Sequence, residues 1–508
     1  MISHNSRILL NTVVQYIRTL INILLGFYST RIVLNALGEY DYGIYALIAG
    51  IVGMLSFFTN ALSITTQRFL SYHKGQNNIE KQIVVFSNSI AIHVFISIVI
   101  ILLLEFTGIF LFDGLLNIPS NRLYAAKIIY QCAILMVVTS IITSPFRAAL
   151  IARENLTYIS IIDVLDGIWK VVIALIIAAS TLDRLIEYSV LTVIIYVFTL
   201  LSFAIYDFVK YPECIFPRIS HINKKIIRKL NSFAGWTLNS TGCILGRNQG
   251  VAIVLNVFYG TVVNAAYGIA VQVSGAVNYI GSALQNAFSP RIIMSEGSGN
   301  RPDMLRYSRL FSKISFLMMT VIGIPIVVNI SSILKFWLGE VPVYSELLCI
   351  TIIISAILDQ LTTGLSTVNR AIGDIRFYSI FVDTIKIITI PLLFIFLQLN
   401  IPLIYAFWIY PITELISAMV RFPILKRNID ICISSWMADV FFKSLLPILQ
   451  LCTCYFLASK FRFNLIVFFA EFIFFTSIFL MLCYKCSLSD QERIYAKSLI
   501  YNIIGRSK

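Results

Sequence analysis

The sequence predicts an all-α integral membrane protein with about 14 transmembrane helices. Three observations carry that expectation. Residues from the set AVILMFWYC make up 58% of the 508 positions, and charged residues only 13%, about half the charged share of an average soluble domain. The apolar residues form long continuous runs, as spanning helices of about 20 residues require, not the alternating segments of about 10 that build a membrane barrel. No segment between the runs is long enough to fold as a separate domain.

The candidate spans lie at 8–34, 43–66, 83–112, 124–149, 157–180, 185–207, 232–257, 262–288, 310–334, 345–369, 376–399, 401–425, 438–458 and 463–484. The first follows the short polar lead Met1 to Arg7 directly. No short apolar core precedes a small-residue cleavage site, so this span is expected to be retained. It carries Asn11, Gln15, Arg18 and Asn22 at helical spacing, one polar stripe expected to face water or a ligand. The third span has Glu105 near its end, and the fourth has Pro145. The fifth holds Asp163, Asp166 and Lys170. The seventh carries Arg247, within Gly246-Arg247-Asn248-Gln249-Gly250. Pro325, Asp359, Pro391, Pro411 and Glu414 punctuate later spans, and the eleventh holds Asp383 and Lys386.

An ionisable group within a span is expensive and usually faces an interior cavity. Arg18 and Arg247 are therefore the candidate cavity cations. For Asp163, Asp166, Lys170, Asp359, Asp383 and Lys386 two readings stand. Asp166–Lys170 and Asp383–Lys386 have the i,i+4 and i,i+3 spacings of pairs that neutralise themselves on one helix. Alternatively, these groups line the cavity and couple transport to a proton or sodium ion.

The net charge of +14 has a topological origin. With the N-terminus taken as cytoplasmic, 27 of the 39 Lys and Arg residues fall on that side and 7 on the other. Five lie within spans: Arg18, Lys170, Arg247, Lys386 and Lys443. The asymmetry puts both termini in the cytoplasm and removes any need for a nucleic-acid partner. The most basic stretch, 208–230, spaces Ile219, Ile222, Ile226 and Leu230 helically between lysines and arginines, as an amphipathic helix on an anionic membrane face would. The segment 485–508 shows a weaker version.

The chain also repeats itself. Ile32-Val33-Leu34-Asn35 recurs as Ile253-Val254-Leu255-Asn256, and Tyr42-Gly43-Ile44 as Tyr267-Gly268-Ile269. Gly75-Gln76-Asn77-Asn78 has a counterpart in Gly297-Ser298-Gly299-Asn300, and Tyr158 with Asp163 in Tyr378 with Asp383. The offsets stay near 220. Spans 1–6 thus pair with spans 7–12, and two spans are appended. The expected organisation is a six-helix bundle over 1–210, a basic amphipathic cytoplasmic linker over 211–230, a second bundle over 231–428, and two extra helices with a basic tail over 429–508. Six is even, so the repeats share one orientation, as in transporters that rock one half against the other.

Soluble catalytic chemistry finds little support. The histidines His4, His73, His93 and His221 form no metal motif. Cys483-x-x-Cys486 has no second pair at metal spacing. No phosphate-cradling loop or nucleophile elbow is present. The expectation is a transporter without a bound cofactor, and not an enzyme.

The run Arg31-Ile32-Val33-Leu34-Asn35-Ala36-Leu37-Gly38-Glu39-Tyr40-Asp41-Tyr42-Gly43-Ile44-Tyr45 resembles the junction of the first two helices in bacterial polysaccharide exporters. Tyr267-Gly268-Ile269-Ala270 and Ser289-Pro290-Arg291 resemble their second half. The resemblance spans roughly residues 1–430. It is to the oligosaccharide (Wzx-like) flippases of the multidrug/oligosaccharidyl-lipid/polysaccharide (MOP) exporter superfamily. That family is similar to the lipid II flippase and to multidrug and toxin extrusion (MATE) antiporters. The resemblance implies a MATE-like fold in the bacterial inner membrane. It also implies passage of undecaprenyl-pyrophosphate-linked repeat units from the cytoplasmic to the periplasmic leaflet, for O-antigen, capsule or exopolysaccharide assembly. The implied partners are that lipid-linked glycan, membrane lipids and polysaccharide polymerase machinery. Arg18 and Arg247 fit the family's cationic cavity. The competing expectations are a cation-coupled multidrug antiporter of the same fold and a membrane polysaccharide polymerase or ligase.

Overall fold

The computed structural model describes residues 4–53, 55–112, 121–458, 465–489 and 492–493; the tail beyond 493 lies outside them. The described residues are helical almost throughout. The first repeat comprises α1 (His4–Gly53), α2 (Ser56–Gly75), α3 (Ile79–Phe110), α4 (Leu123–Ala152), α5 (Leu156–Ala179) and α6 (Arg184–Lys210). The second opens on α7 (Lys224–Gly297), followed by α8 (Arg301–Val328), α9 (Ile330–Leu338), α10 (Ser345–Gln360) and α11 (Thr363–Ile372). It ends with α12 (Arg376–Gln398) and α13 (Leu403–Lys426). The appended pair is α14 (Ile433–Ala458) and α15 (Val467–Ser487).

Every expected span is helical over most of its length, but the count differs. Nine described helices are long and apolar enough to cross a membrane, or ten if the bent pair α10–α11 is one span. Composition thus supports nine or ten crossings where 14 were expected. One reason is α5, whose three charged residues break its apolar window. The expected junctions at 35–42 and 258–261 do fall on breaks in helix geometry. Both breaks turn on glycine. The backbone of α1 breaks at Gly38 (φ 76°) and that of α7 at Gly260 (φ 76°). Positive φ with ψ near 180° is open to glycine and costs an L-residue on the order of 1–3 kcal/mol.

The two breaks lie 222 residues apart, at the spacing of the sequence repeat. The same offset links the Asn78 cap, which accepts from Lys81 N–H at 2.9 Å, with the Asn300 cap, which accepts from Asp303 N–H at 3.2 Å. Both caps follow a residue with positive φ, Asn77 and Gly299. The repeat is therefore legible in backbone conformation as well as in residue identity.

The linker region differs from a single amphipathic helix. Residues 219–221 make one 3-10 turn, and Asn223 then caps α7 through Lys225 N–H at 2.9 Å. Ile226 and Leu230 belong to α7, while Ile222 lies outside it.

The chain divides into two compact units: unit 1, Met1–Leu238 with Ile293–Gly299, and unit 2, Asn239–Ile292 with Asn300–Lys508. In unit 1, Ile44, Ile48 and Val52 of α1 pack with α3 and α4 around Ile129 and Tyr130, while Val33 meets Ile173, Ala174 and Ile177 of α5. In unit 2, α7, α10, α12 and α13 share a core that includes Leu255, Leu348, Leu393 and Phe407. There α8 also packs on α14 and α15 through Leu317, Leu451 and Phe479.

Helix α3 shows the inside-out logic of a membrane solvent. It exposes Phe95, Ile98, Leu102 and Phe106 and buries Ser87, Asn88, Ser89 and His93. Lipid takes the apolar face, and helix neighbours take the polar one.

Candidate functional site

Each unit holds a cluster of intramembrane charges around the expected site residues, and the two clusters differ in kind. In unit 1 the centre is Asp163 of α5. Arg18 of α1 donates to its Oδ2 at 2.6 Å, and Arg147 of α4 grips both oxygens at 2.9 and 2.6 Å. Two guanidiniums share one carboxylate, which leaves one positive charge in excess. Neither is sealed off: the Arg18 side chain is 17% exposed and that of Arg147 35%. Nearby on the same helix, Asp166 and Lys170 form the expected i,i+4 pair at 2.7 Å.

Three residues of the polar stripe of α1 meet neighbouring helices. Asn11 donates to the Glu154 carbonyl at 2.9 Å where α4 ends, Arg18 reaches Asp163, and the Asn22 amide oxygen lies against Gly167 of α5. A side chain at Gly167 would collide with Asn22 and Leu25. This glycine thus lets α1 and α5 approach closely enough for the stripe to find partners.

In unit 2 the charges are buried and interlocked. Arg247 of α7 donates to Glu414 Oε2 at 2.6 Å, and its guanidinium stacks 4.3 Å from the Tyr410 ring centroid. Lys386 of α12 bridges Glu414 at 2.5 Å and Asp359 at 3.4 Å. Arg421 of α13 closes the chain on Asp359 at 2.5 Å and also donates to Thr362 Oγ1 at 3.0 Å. The side chains of Arg247, Lys386 and Arg421 are only 4–8% exposed.

The expected Asp383–Lys386 self-pair does not form. A π-helical turn over Ser379–Asp383 precedes the regular α-helix that carries Lys386. Lys386 instead meets two carboxylates from neighbouring helices, and Asp383 is buried beside Ser240.

Sequence reasoning passed over Arg147 and Arg421, which it counted with the cytoplasmic loops, and left Glu414 as a lone acid. A signal was present. Each arginine is followed by several apolar residues before its helix ends, in Phe146-Arg147-Ala148-Ala149-Leu150 and Val420-Arg421-Phe422-Pro423-Ile424. The described residues contain no group of three or more His, Cys, Asp or Glu placed to hold a metal ion.

With two such units built from a repeated helical plan, the chain has the fold of MOP-superfamily transporters. It is similar to a MATE transporter solved in a bent conformation (TM-score 0.73, 14% identity, covering 85% of this chain and 96% of that one). It is also similar to a Pyrococcus furiosus MOP-superfamily transporter, described as having a binding pocket of reversed polarity that suggests a different function (TM-score 0.70, 13% identity, 83% and 95% covered). Among curated proteins it resembles the uncharacterized membrane protein EpsK of Bacillus subtilis (strain 168), at 21% identity over 325 residues. The match spans 63% of each chain. No family model matches the sequence. The protein is a multi-pass membrane protein whose structural neighbours are transporters.

Proposed function

We propose that the protein is a flippase. It moves undecaprenyl-pyrophosphate-linked oligosaccharide repeat units from the cytoplasmic to the periplasmic leaflet of a bacterial inner membrane by alternating access. The translocated units feed assembly of O-antigen, capsule or exopolysaccharide, whose polymerase would consume them. The observation that carries this reading is the Arg18–Asp163–Arg147 cluster, partly exposed and one positive charge in excess. A pyrophosphate presents two or more negative charges, and a planar guanidinium binds such oxygens bidentately. Asp163 holds both guanidiniums in place before the anion arrives, which lowers the ordering cost of binding.

Arg247 has a second role in this reading. Bound to Glu414 and stacked on Tyr410, it positions α7 in unit 2 and reaches an anion only if that pair opens. Asp359 and Lys386 belong to the network through which a proton or sodium ion would be coupled, and Asp383, buried beside Ser240 on the same helix as Lys386, is a further carboxyl for that ion.

The test is a pair of substitutions, Arg18→Ala and Arg147→Ala, in the native host. Surface polysaccharide should fall at least about tenfold in each, while the protein remains inserted; one bidentate charged contact is worth about 1.5–3 kcal/mol. Normal glycan in both variants refutes the assignment. Unchanged glycan with lost drug resistance would favour a multidrug antiporter instead.

A further inference from the structure

Where α6 ends, unit 1 buries more negative than positive charge. Arg153, which caps α4, donates from Nε to Glu213 Oε1 at 2.5 Å and from Nη2 to Oε2, with its guanidinium 5.4 Å from the Tyr211 ring centroid. Glu213 is itself buried, and Arg153 fully answers its charge. Asp207 is a different matter. It lies in the last turn of α6, fully buried, and neither carboxyl oxygen has a hydrogen-bond partner.

The ionisable groups whose charge reaches Asp207 are Glu213, Tyr211 and Cys214 of the following segment and Tyr158 of α5. None is a cation. Other charged groups on the packed helices are engaged elsewhere. Arg18 and Arg147 hold Asp163, and Lys74 of α2 donates to the Ala152 carbonyl at 3.0 Å. Glu154 beside Arg153 is a further acid, and Lys210 on α6 is exposed. The local polar groups are also committed. Asn155 donates to the Tyr206 and Tyr211 hydroxyls, both at 2.9 Å, and the Tyr158 hydroxyl donates to the Ser202 carbonyl at 2.9 Å.

One guanidinium among two buried carboxylates leaves one negative charge over. A buried, unpaired charge costs several kcal/mol and is normally removed by neutralising the group. We propose that Asp207 is a proton-binding site, and that its proton keeps the inter-repeat segment 211–223 docked on unit 1. With the proton bound, Glu213 can stay buried against Arg153. When the Asp207 carboxyl gives its proton to water, two buried carboxylates repel with one counter-charge between them, and the segment carrying Glu213 is pushed outward. The neighbouring groups outside the helices feel the same environment. Burial pushes the Tyr211 hydroxyl up to about 12, and burial together with the Asp207 and Glu213 charges raises the Cys214 thiol.

Cys214 supplies a built-in reporter, since it is 1% exposed in the docked segment. The experiment alkylates the full-length protein in lipid nanodiscs with N-ethylmaleimide between about pH 6 and about pH 9.5, the range in which buried carboxyls are known to titrate. Labelling of Cys214 is read by peptide mass spectrometry and normalised to Cys349, which is buried in unit 2. The ratio should rise about tenfold or more in the wild type and stay flat in Asp207→Asn, a neutral isostere; tenfold corresponds to about 1.4 kcal/mol. A flat wild-type ratio overturns the proposal, whether or not Asp207→Asn inserts. So does an Asp207→Asn protein labelled at low pH as fast as the wild type at high pH. Parallel runs in sodium and choline salts add one more outcome: protection that follows sodium rather than pH overturns the proton assignment.

Discussion

Unit 1 and unit 2 share a glycine break and an asparagine-capped helix at one spacing and handle charge in opposite ways. Unit 1 places two arginines on Asp163 and leaves both partly exposed. Unit 2 threads Arg247, Glu414, Lys386, Asp359 and Arg421 into one chain and seals its cations. The difference teaches that charge inside the membrane serves two ends. An exposed cluster with an excess charge is suited to an external counter-ion. A sealed, alternating chain satisfies itself and holds helices in register. A buried pair adds little net stability over an apolar replacement, yet removing one partner is severely destabilising.

The largest effect should come from breaking the sealed chain. Glu414→Ala strands Arg247 and Lys386 in a buried site and should lower stability by about 3–5 kcal/mol, read as loss of folded protein in detergent thermal unfolding. Asp163→Ala should cost less than half as much, because Arg18 and Arg147 can turn toward solvent. Equal losses from the two would erase the distinction between the clusters.

Next in size is a functional contrast. Arg147→Lys keeps the charge but loses the bidentate fork. It should retain a fraction of surface glycan between wild type and Arg147→Ala, with unchanged thermal stability. If the lysine variant matches wild type, charge alone suffices and fork geometry plays no part.

The glycine breaks test how alike the units remain. Gly38→Ala and Gly260→Ala meet no neighbouring atom, so only the backbone conformation opposes them, at about 1–3 kcal/mol each. Matched losses in thermal unfolding would show that the kinks are equivalent. The smallest effect is expected at Asp166→Asn, which removes a half-exposed i,i+4 pair worth about 0.2–0.5 kcal/mol; a larger change would place Asp166 in the site with Asp163.

Much of the fold was legible because it is local. A run of about 20 apolar residues makes a helix wherever it sits in lipid, and the fold's neighbours are those the resemblance implied. Two helix breaks were legible too: the expected junctions at 35–42 and 258–261 contain Gly38 and Gly260, where the backbone leaves helix geometry. The Asp166–Lys170 pair was readable, being one turn apart on a regular helix. The Asp383–Lys386 pair looked equally sound and does not form, because Asp359 and Glu414 of neighbouring helices take Lys386.

The sequence by itself determined the solvent, the helices, the repeat and the inventory of costly charges. Each follows from composition or from spacing along the chain. Tertiary structure alone decided which charges meet. Asp163 finds Arg18 across 145 positions, and Glu414 finds Arg247 across 167. Those pairings depend on which helix faces lie together, and an ion buried in a low-dielectric interior settles on whichever counter-charge the packing brings within reach.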